Sequence, residues 1–278
     1  MQVDHLPSLA GEYWRALAHA KPGLAYDQPI PRVELTVATL QIDAAALARY
    51  RSFVGSSEAF PLAYAYVLAQ PAHFHLINDP AFPVRAVGLV HADNRILRLQ
   101  EIEPTAPLAL SVSVSGERVR RRGREFTLRT LYTQHGQTVI EMDSGCFTRV
   151  RGAPRGESVA PESAPEPVLA GERVAELRFA AHFGRRYARV SGDYNPIHLA
   201  GWLARPFGFR RAIAHGVGIM ARIDAELGRG SQTRELSVRF RRPVELPGNT
   251  VLHRCSQDPA AFVLLDPNGR ELVCGQRR

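Results

Sequence analysis

Hydrophobic and polar positions alternate with a period of two from Val33 to Ile42, where Val33, Leu35, Val37 and Thr39 fall on one face, and this predicts a strand. Ala44 to Phe53 changes to helical spacing. Pro61 to Ile77 is a long apolar and aromatic stretch, which predicts a buried helix that Pro71 has to start or kink. A shorter amphipathic segment, Pro7 to Ala20, precedes them. From Val87 onward the period of two returns, predicting strands over Val87 to Ile102, Leu108 to Val114, Glu125 to Gln134 and Thr138 to Val150. His135-Gly136 between the last two is a hairpin signal.

The second half repeats this order. A helical stripe over Ala212 to Leu227 is followed by strand patterns at Glu235 to Pro243, Thr250 to Gln257, Phe262 to Leu265 and Glu271 to Cys274, with turns at Pro247-Gly248 and Asn268-Gly269. Between the halves, Pro154, Pro161, Pro165 and Pro167 alternate with small and charged residues, the signature of a stiff linker. The expected organisation is therefore α+β: a first unit over 1–150, a linker over 151–171 and a second unit over 172–278. Each unit is a helix followed by an antiparallel meander.

Composition narrows the partners. The 278 residues carry 35 basic and 27 acidic side chains, a net charge of +8. Lys21 is the only lysine, so the excess is arginine, which suits phosphate and carboxylate ligands. Three cysteines without CxxC spacing argue against a disulfide framework or a structural zinc site. The start of the chain has Asp4 and Glu12 where a secretory signal needs an apolar core, and no apolar run reaches membrane-span length. A cytoplasmic protein without a membrane span is expected. No nucleic-acid motif accompanies the positive charge.

The segment that carries chemistry is Ser191-Gly192-Asp193-Tyr194-Asn195-Pro196-Ile197-His198. Asn195 is placed as an N-cap and Pro196 as the first helical residue. His198 then lies in the first turn, where the helix dipole disfavours imidazolium. Asp193, on a turn that Gly192 keeps tight, can reach the same volume, and together the two could hold one water. Spacing alone describes a capped turn equally well. Downstream, His215-Gly216 leads into the predicted helix, whose first free amides, Gly216 among them, can bind a developing oxyanion. Asp193, His198 and His215 lack the paired i, i+4 histidine spacing of helix-borne zinc sites, and no metal is expected.

The motif resembles the signature S-G-D-x-N-P-x-H of the MaoC-like, R-specific enoyl-CoA hydratase family, matched in full and followed by the family's H-G step. Val238-Arg239-Phe240-Arg241-Arg242-Pro243 with Pro247-Gly248 extends the resemblance over most of Val174 to Cys274. Phe82-Pro83 and Gly88 to Ile96 resemble the degenerate partner domain of two-domain members, though the signature does not recur there.

The resemblance implies a double hot-dog fold, two tandem units each with a central helix wrapped by a curved antiparallel sheet. The N-terminal unit would be degenerate and widen the acyl pocket; the C-terminal unit would be catalytic. It implies a hydro-lyase that interconverts trans-2-enoyl and (3R)-3-hydroxyacyl thioesters of coenzyme A or acyl carrier protein, with no cofactor of its own. Asp193 and His198 would be catalytic, Gly216 would bind the thioester oxygen, and Asn195 would hold the loop beside the substrate. Val217 stands where many members have Met, and the helix continues with Arg222 and Asp224 in place of the family's small apolar or hydroxyl residues, which bears on the acyl chain accepted. Arg205, Arg210 and Arg211 are better candidates for phosphate contacts than the run Arg118, Arg120, Arg121, Arg122 and Arg124, which reads as a solvated hairpin. A homodimer is compatible with this scheme. A non-catalytic acyl-thioester-binding or partner subunit and an acyl thioesterase are the rival readings.

Overall fold

The computed structural model describes residues 1–6, 8–18, 21–86, 88–120, 123–152 and 170–278. Its elements, in chain order, begin with β1 (Gln2–Val3), α1 (Leu9–Ala18), β2 (Glu34–Leu40), α2 (Ala44–Val54) and α3 (Tyr64–Asn78). A meander follows, β3 (Val90–Arg98), β4 (Leu108–Arg120), β5 (Gly123–Gln134) and β6 (Gln137–Arg149). The second half opens with β7 (Ala170–Phe179), α4 (Phe183–Ser191), α5 (Pro196–Leu199) and α6 (Gly201–Ala204). It closes with α7 (Gly216–Leu227), β8 (Glu235–Phe240), β9 (Gly248–Cys255), β10 (Ala261–Leu265) and β11 (Glu271–Arg277). Of the predicted linker, residues 153–169 lie outside the described residues, as do Arg121 and Arg122 of the basic run.

Local chemistry accounts for most boundaries. Asp43 caps α2 by accepting from the amides of Ala45 and Ala46, and Gly55 ends it in the left-handed conformation. His135 and Gly136 both have positive φ, the conformation of a two-residue hairpin turn matched to strand twist. β4 and β5 alternate buried and less buried positions along most of their length, so one face lies on the core.

The eleven strands of the described residues form one sheet in the order β1-β2-β4-β5-β6-β3-β8-β11-β10-β9-β7. The two meanders meet edge to edge through antiparallel β3 and β8, with Asp93 opposite Arg239 and Ile96 opposite Leu236. Pairing the two edges removes unpaired backbone groups from the middle of the molecule. α3 packs against β2, β4 and β6, and α7 against β7 and β8. Each half thus wraps one helix, the arrangement expected of a double hot-dog.

Of the two roles expected for Pro71, starting the helix is excluded: it lies inside α3, where its missing N–H leaves the Val67 carbonyl without the usual intrahelical donor. The helix predicted from Ala212 begins only at Gly216, because Ala212 to Ala214 is extended and its backbone is committed elsewhere. Ile213 bridges to Glu245, the Ala214 amide donates to Val244 and the Leu246 amide to the Ala212 carbonyl. α4 was not anticipated, and neither were its three arginines around a buried Phe183–Tyr187–Ala188 face.

The basic hairpin supplies its own counter-ions: Arg120 pairs with Glu125 at 2.6 Å, and Arg124 with Glu117 and the Tyr26 carbonyl. Arg222 reaches Glu226, and buried Asp224 accepts from Thr233 and Arg277. These helix departures are therefore tied into ion pairs and hydrogen bonds at the far end of α7.

Ile96 and Leu236 are both fully buried across the seam. Replacing either with Ala should lower the unfolding free energy by about 2–5 kcal/mol, measured by urea denaturation. A loss below about 1 kcal/mol would show that the seam is not part of the cooperative core.

Candidate active site

The signature segment is shaped by two glycines. Gly192 ends α4 with φ +77°, turning the chain so that Asp193 faces inward. Gly184, in the first turn of α4, lies so close under the His198 carbonyl that a Cβ there would sit 1.9 Å from its oxygen. α4 and α5 can approach this closely only with glycine at that position. Asn195 caps α5 as predicted, its Oδ1 accepting from the Ile197 amide at 3.4 Å. Its own amide donates to Asp193 Oδ1 at 3.1 Å, so Asn195 addresses the carboxylate through its backbone while its side-chain oxygen serves the cap.

His198 is buried, and its Nδ1 donates to the Ile213 carbonyl at 2.8 Å. The extended conformation of Ala212 to Ala214 is what presents that carbonyl. With the Nδ1 hydrogen so used, Nε2 carries the lone pair. The ring is held neutral, its pKa below the ordinary 6.5, and burial is the main cause; Asp193 and the Ile213 carbonyl pull the other way. The helix dipole invoked from the sequence is a minor influence, because α5 is a single four-residue turn.

His215 is the N-cap residue of α7 and stacks beside His198 with ring centroids 3.8 Å apart. Its Nε2 donates to the Asp193 carbonyl at 3.0 Å, leaving Nδ1 buried without a hydrogen-bond partner. Burial and the neighbouring His198 push its pKa down to about 3. Ligand atoms of Asp193, His198 and His215 lie within 4.8 Å of one another. Among the described residues these three are the groups that could hold a cation, which would compete with existing donors for the carboxylate.

The Asp193 side chain is 15% exposed. Burial alone would raise its pKa, but the two imidazole rings and hydrogen bonds from Tyr13 and Gln70 outweigh it, and the carboxyl stays below the usual carboxylate range. Tyr13 of α1 donates to Oδ1 at 2.5 Å and Gln70 of α3 to Oδ2 at 2.8 Å. Neither was singled out from the sequence. Gln70 does leave a trace, as the amide within an otherwise apolar helical stretch; Tyr13 leaves none.

Gly216 is the first residue of α7, so its amide is among those without an intrahelical acceptor, and it packs beside the Phe240 ring. Arg205, Arg210 and Arg211 are exposed on the stretch between α6 and Ile213. In the N-terminal half His73 bonds Thr130 at 2.8 Å and His75 bonds Glu12 at 2.7 Å. His91 stacks on Tyr66, with its Nε2 unpartnered.

This geometry has a sequence relationship behind it. A family profile described as "MaoC like domain" matches residues 170–257. 3-Hydroxyacyl-thioester dehydratase X of Mycobacterium tuberculosis is 32% identical over 255 residues, spanning 91% of this chain and 90% of that protein. The chain belongs to the MaoC-like dehydratase family. A crystal structure of HtdX from Mycobacterium tuberculosis superposes with a TM-score of 0.74 at 27% identity, over 88% of this chain and 99% of that one. Another Mycobacterium tuberculosis protein, described as having a double hotdog fold, aligns with a TM-score of 0.58 at 11% identity over 92% of this chain and 97% of its own. That second likeness is one of fold alone. Like these, the present MaoC-like chain is a double hot-dog, and no helix among its described residues is long and apolar enough to cross a membrane.

The buried imidazoles make stability depend on pH. An unfolded histidine takes up a proton near 6.5, whereas folded His73 and His215 do so only near about 3 and His91 near about 4. Between those values the unfolded chain binds more protons, so stability falls as the pH falls. Asp193, with its lowered pKa, adds to the loss at the acid end of that window. Thermal unfolding should show the midpoint dropping steadily below pH 6.5, and less steeply in His215→Gln, which cannot titrate there. A flat midpoint from pH 7 to pH 4 would contradict the buried, neutral assignment.

Proposed function

We propose that this chain catalyses the reversible hydration of trans-2-enoyl thioesters to (3R)-3-hydroxyacyl thioesters. The observation that carries the reading is the pairing of an ionised carboxylate, Asp193, with the bare Nε2 of a neutral His198 inside one enclosed site. Two acceptors that close can take both hydrogens of a single water, leaving its oxygen lone pair for the substrate. As the oxygen bonds to C3, His198 Nε2 takes one proton, while the other hydrogen stays on the oxygen as the product hydroxyl and donates a hydrogen bond to Asp193. The C2–C3 π electrons move into the thioester, whose oxygen is stabilised by the Gly216 amide. His198 then returns its proton to C2, so that the elements of one water are added and no cofactor is consumed.

The name of the 32%-identical relative, a 3-hydroxyacyl-thioester dehydratase, supports the same reaction class in the reverse direction. Among the described residues no ion pair is formed by Arg205, Arg210 or Arg211, and Trp202 beside them is 71% exposed. We assign these arginines to the phosphates of the thioester carrier, coenzyme A or a carrier protein. The three free cysteines, two of them buried, suit a reducing, cytoplasmic setting.

Loss of enoyl absorbance on adding crotonyl-CoA tests the reaction, a (3R)-specific dehydrogenase reports the product's hand, and a thiol reagent detects hydrolysis. Hydration without thiol release is expected. Asp193→Asn and His198→Gln should each lower kcat by about a hundredfold or more, with the folded protein retained. Thiol release without hydration would favour the thioesterase reading; no turnover of short, medium or branched enoyl thioesters would favour the binding-subunit reading. Removing Arg205, Arg210 and Arg211 together should raise KM for the CoA ester at nearly constant kcat, and added salt should do the same to the parent protein. An unchanged KM would release the arginines from this role.

A further inference from the structure

The N-terminal half lacks the catalytic signature, yet it supplies two of the hydrogen bonds on the Asp193 carboxylate. Each carboxylate oxygen offers about two acceptor positions. Oδ1 has both filled, by the Tyr13 hydroxyl and the Asn195 amide, and Oδ2 has one filled by Gln70. A single position on Oδ2 is left over.

The helix that carries Tyr13 is itself held with care. Glu12, only 3% exposed, accepts from His75 at 2.7 Å and from Asn78 at 2.8 Å. Asn78 also donates to the Glu12 carbonyl at 2.8 Å, and the Tyr13 ring lies 4.7 Å from that of Phe74. Just beyond α1, Lys21, the only lysine in the chain, donates to the carbonyls of Ile77 and Asp79 at the end of α3 and of Phe82 in the loop after it. A buried carboxylate and a lysine spent on three carbonyls are a costly way to dock a ten-residue helix, unless its position matters.

We propose that Tyr13 and Gln70 are positioning residues for Asp193: they fix its rotamer and ionised state and leave one acceptor position, through which the reacting water is held beside His198. This rests on the hydratase reading above and adds to it a role for the half that lacks the motif. Tyr13 from α1 and Gln70 from α3 bond the Asp193 carboxylate, His198 from α5 and His215 at the start of α7 lie beside it, and Tyr66 of α3, His91 of β3 and Tyr187 of α4 are near enough to sense its charge. Tyr13 keeps its own proton, because burial and the adjacent carboxylate both raise its pKa. It is therefore a donor at every working pH. The pull of Tyr13 and Gln70 on Asp193 is downward, in line with two donors on an anion.

The test uses the full chain with Tyr13→Phe, which keeps the ring against Phe74, and Gln70→Met, which keeps the volume. Two quantities are read: kcat and KM for crotonyl-CoA hydration, and the Asp193 titration followed by NMR of γ-carbon-labelled aspartate, its signal assigned by loss in Asp193→Asn. A charge-assisted hydrogen bond removed from the reacting state should lower kcat by about ten- to a hundredfold with KM within about threefold. The Asp193 midpoint should rise by about one pH unit in either variant. Trp14→Ala, on the exposed side of α1, should change neither quantity.

An unmoved Asp193 midpoint in both variants overturns the proposal, whatever happens to kcat, because Tyr13 and Gln70 would then act by packing alone. A rise in KM at constant kcat overturns it too, by making Tyr13 a substrate contact. If the parent protein hydrates no enoyl thioester, the functional reading fails while the titration still decides whether these residues hold Asp193. Should Tyr13→Phe fail to fold, the Gln70→Met titration decides alone.

Discussion

An ionised carboxylate withdrawn from water loses solvation that only hydrogen bonds and nearby charge can replace, and the rest of this molecule can be understood as the means of replacing it at Asp193. Its oxygens accept from Tyr13, Gln70 and the Asn195 amide, and its own carbonyl accepts from His215. These partners come from α1, α3, the loop before α5 and the start of α7, elements far apart in sequence. No one half of the chain contains them all. The site is a property of the assembled double unit.

That dependence gives the architecture a chemical reason. The antiparallel pairing of β3 with β8 makes one sheet of two meanders. It sets α3 of the first half where Gln70 can reach a residue of the second. The Glu12, His75 and Asn78 cluster and the Lys21 contacts then secure α1, which completes the shell. On the other side, Gly184 lets α4 approach His198, and the extended Ala212 to Ala214 stretch offers the Ile213 carbonyl that fixes the imidazole tautomer. Neutral histidine beside ionised aspartate follows from burial of the ring together with strong donors on the carboxylate.

Much of this was legible in the residues alone. The period-two runs located most strands to within a few positions, and His135-Gly136 forms its hairpin as expected, because both signals are local. The motif from Ser191 to His198 placed the cap and the turn, and set Asp193 near His198, for the same reason. The start of α7 was misjudged, since the backbone of Ala212 to Ala214 is taken up by Val244 and Glu245, a tertiary effect that periodicity cannot register. α4 escaped notice with its arginines masking a narrow buried face. Tyr13 is 180 positions from Asp193, and nothing in an amphipathic opening segment marks one tyrosine as a donor to a distant carboxylate. The neutrality of His198 was anticipated, but from a helix dipole rather than from burial.

The central claim, that the carboxylate of the C-terminal half is held by the N-terminal half, is tested most directly by a double-mutant cycle on unfolding free energy with Tyr13→Phe, Asp193→Asn and the pair. The account predicts that the two changes are strongly non-additive, with a coupling energy of about 1 kcal/mol or more. Additivity to within about 0.5 kcal/mol would mean that Tyr13 and Asp193 do not sense one another, and would contradict it.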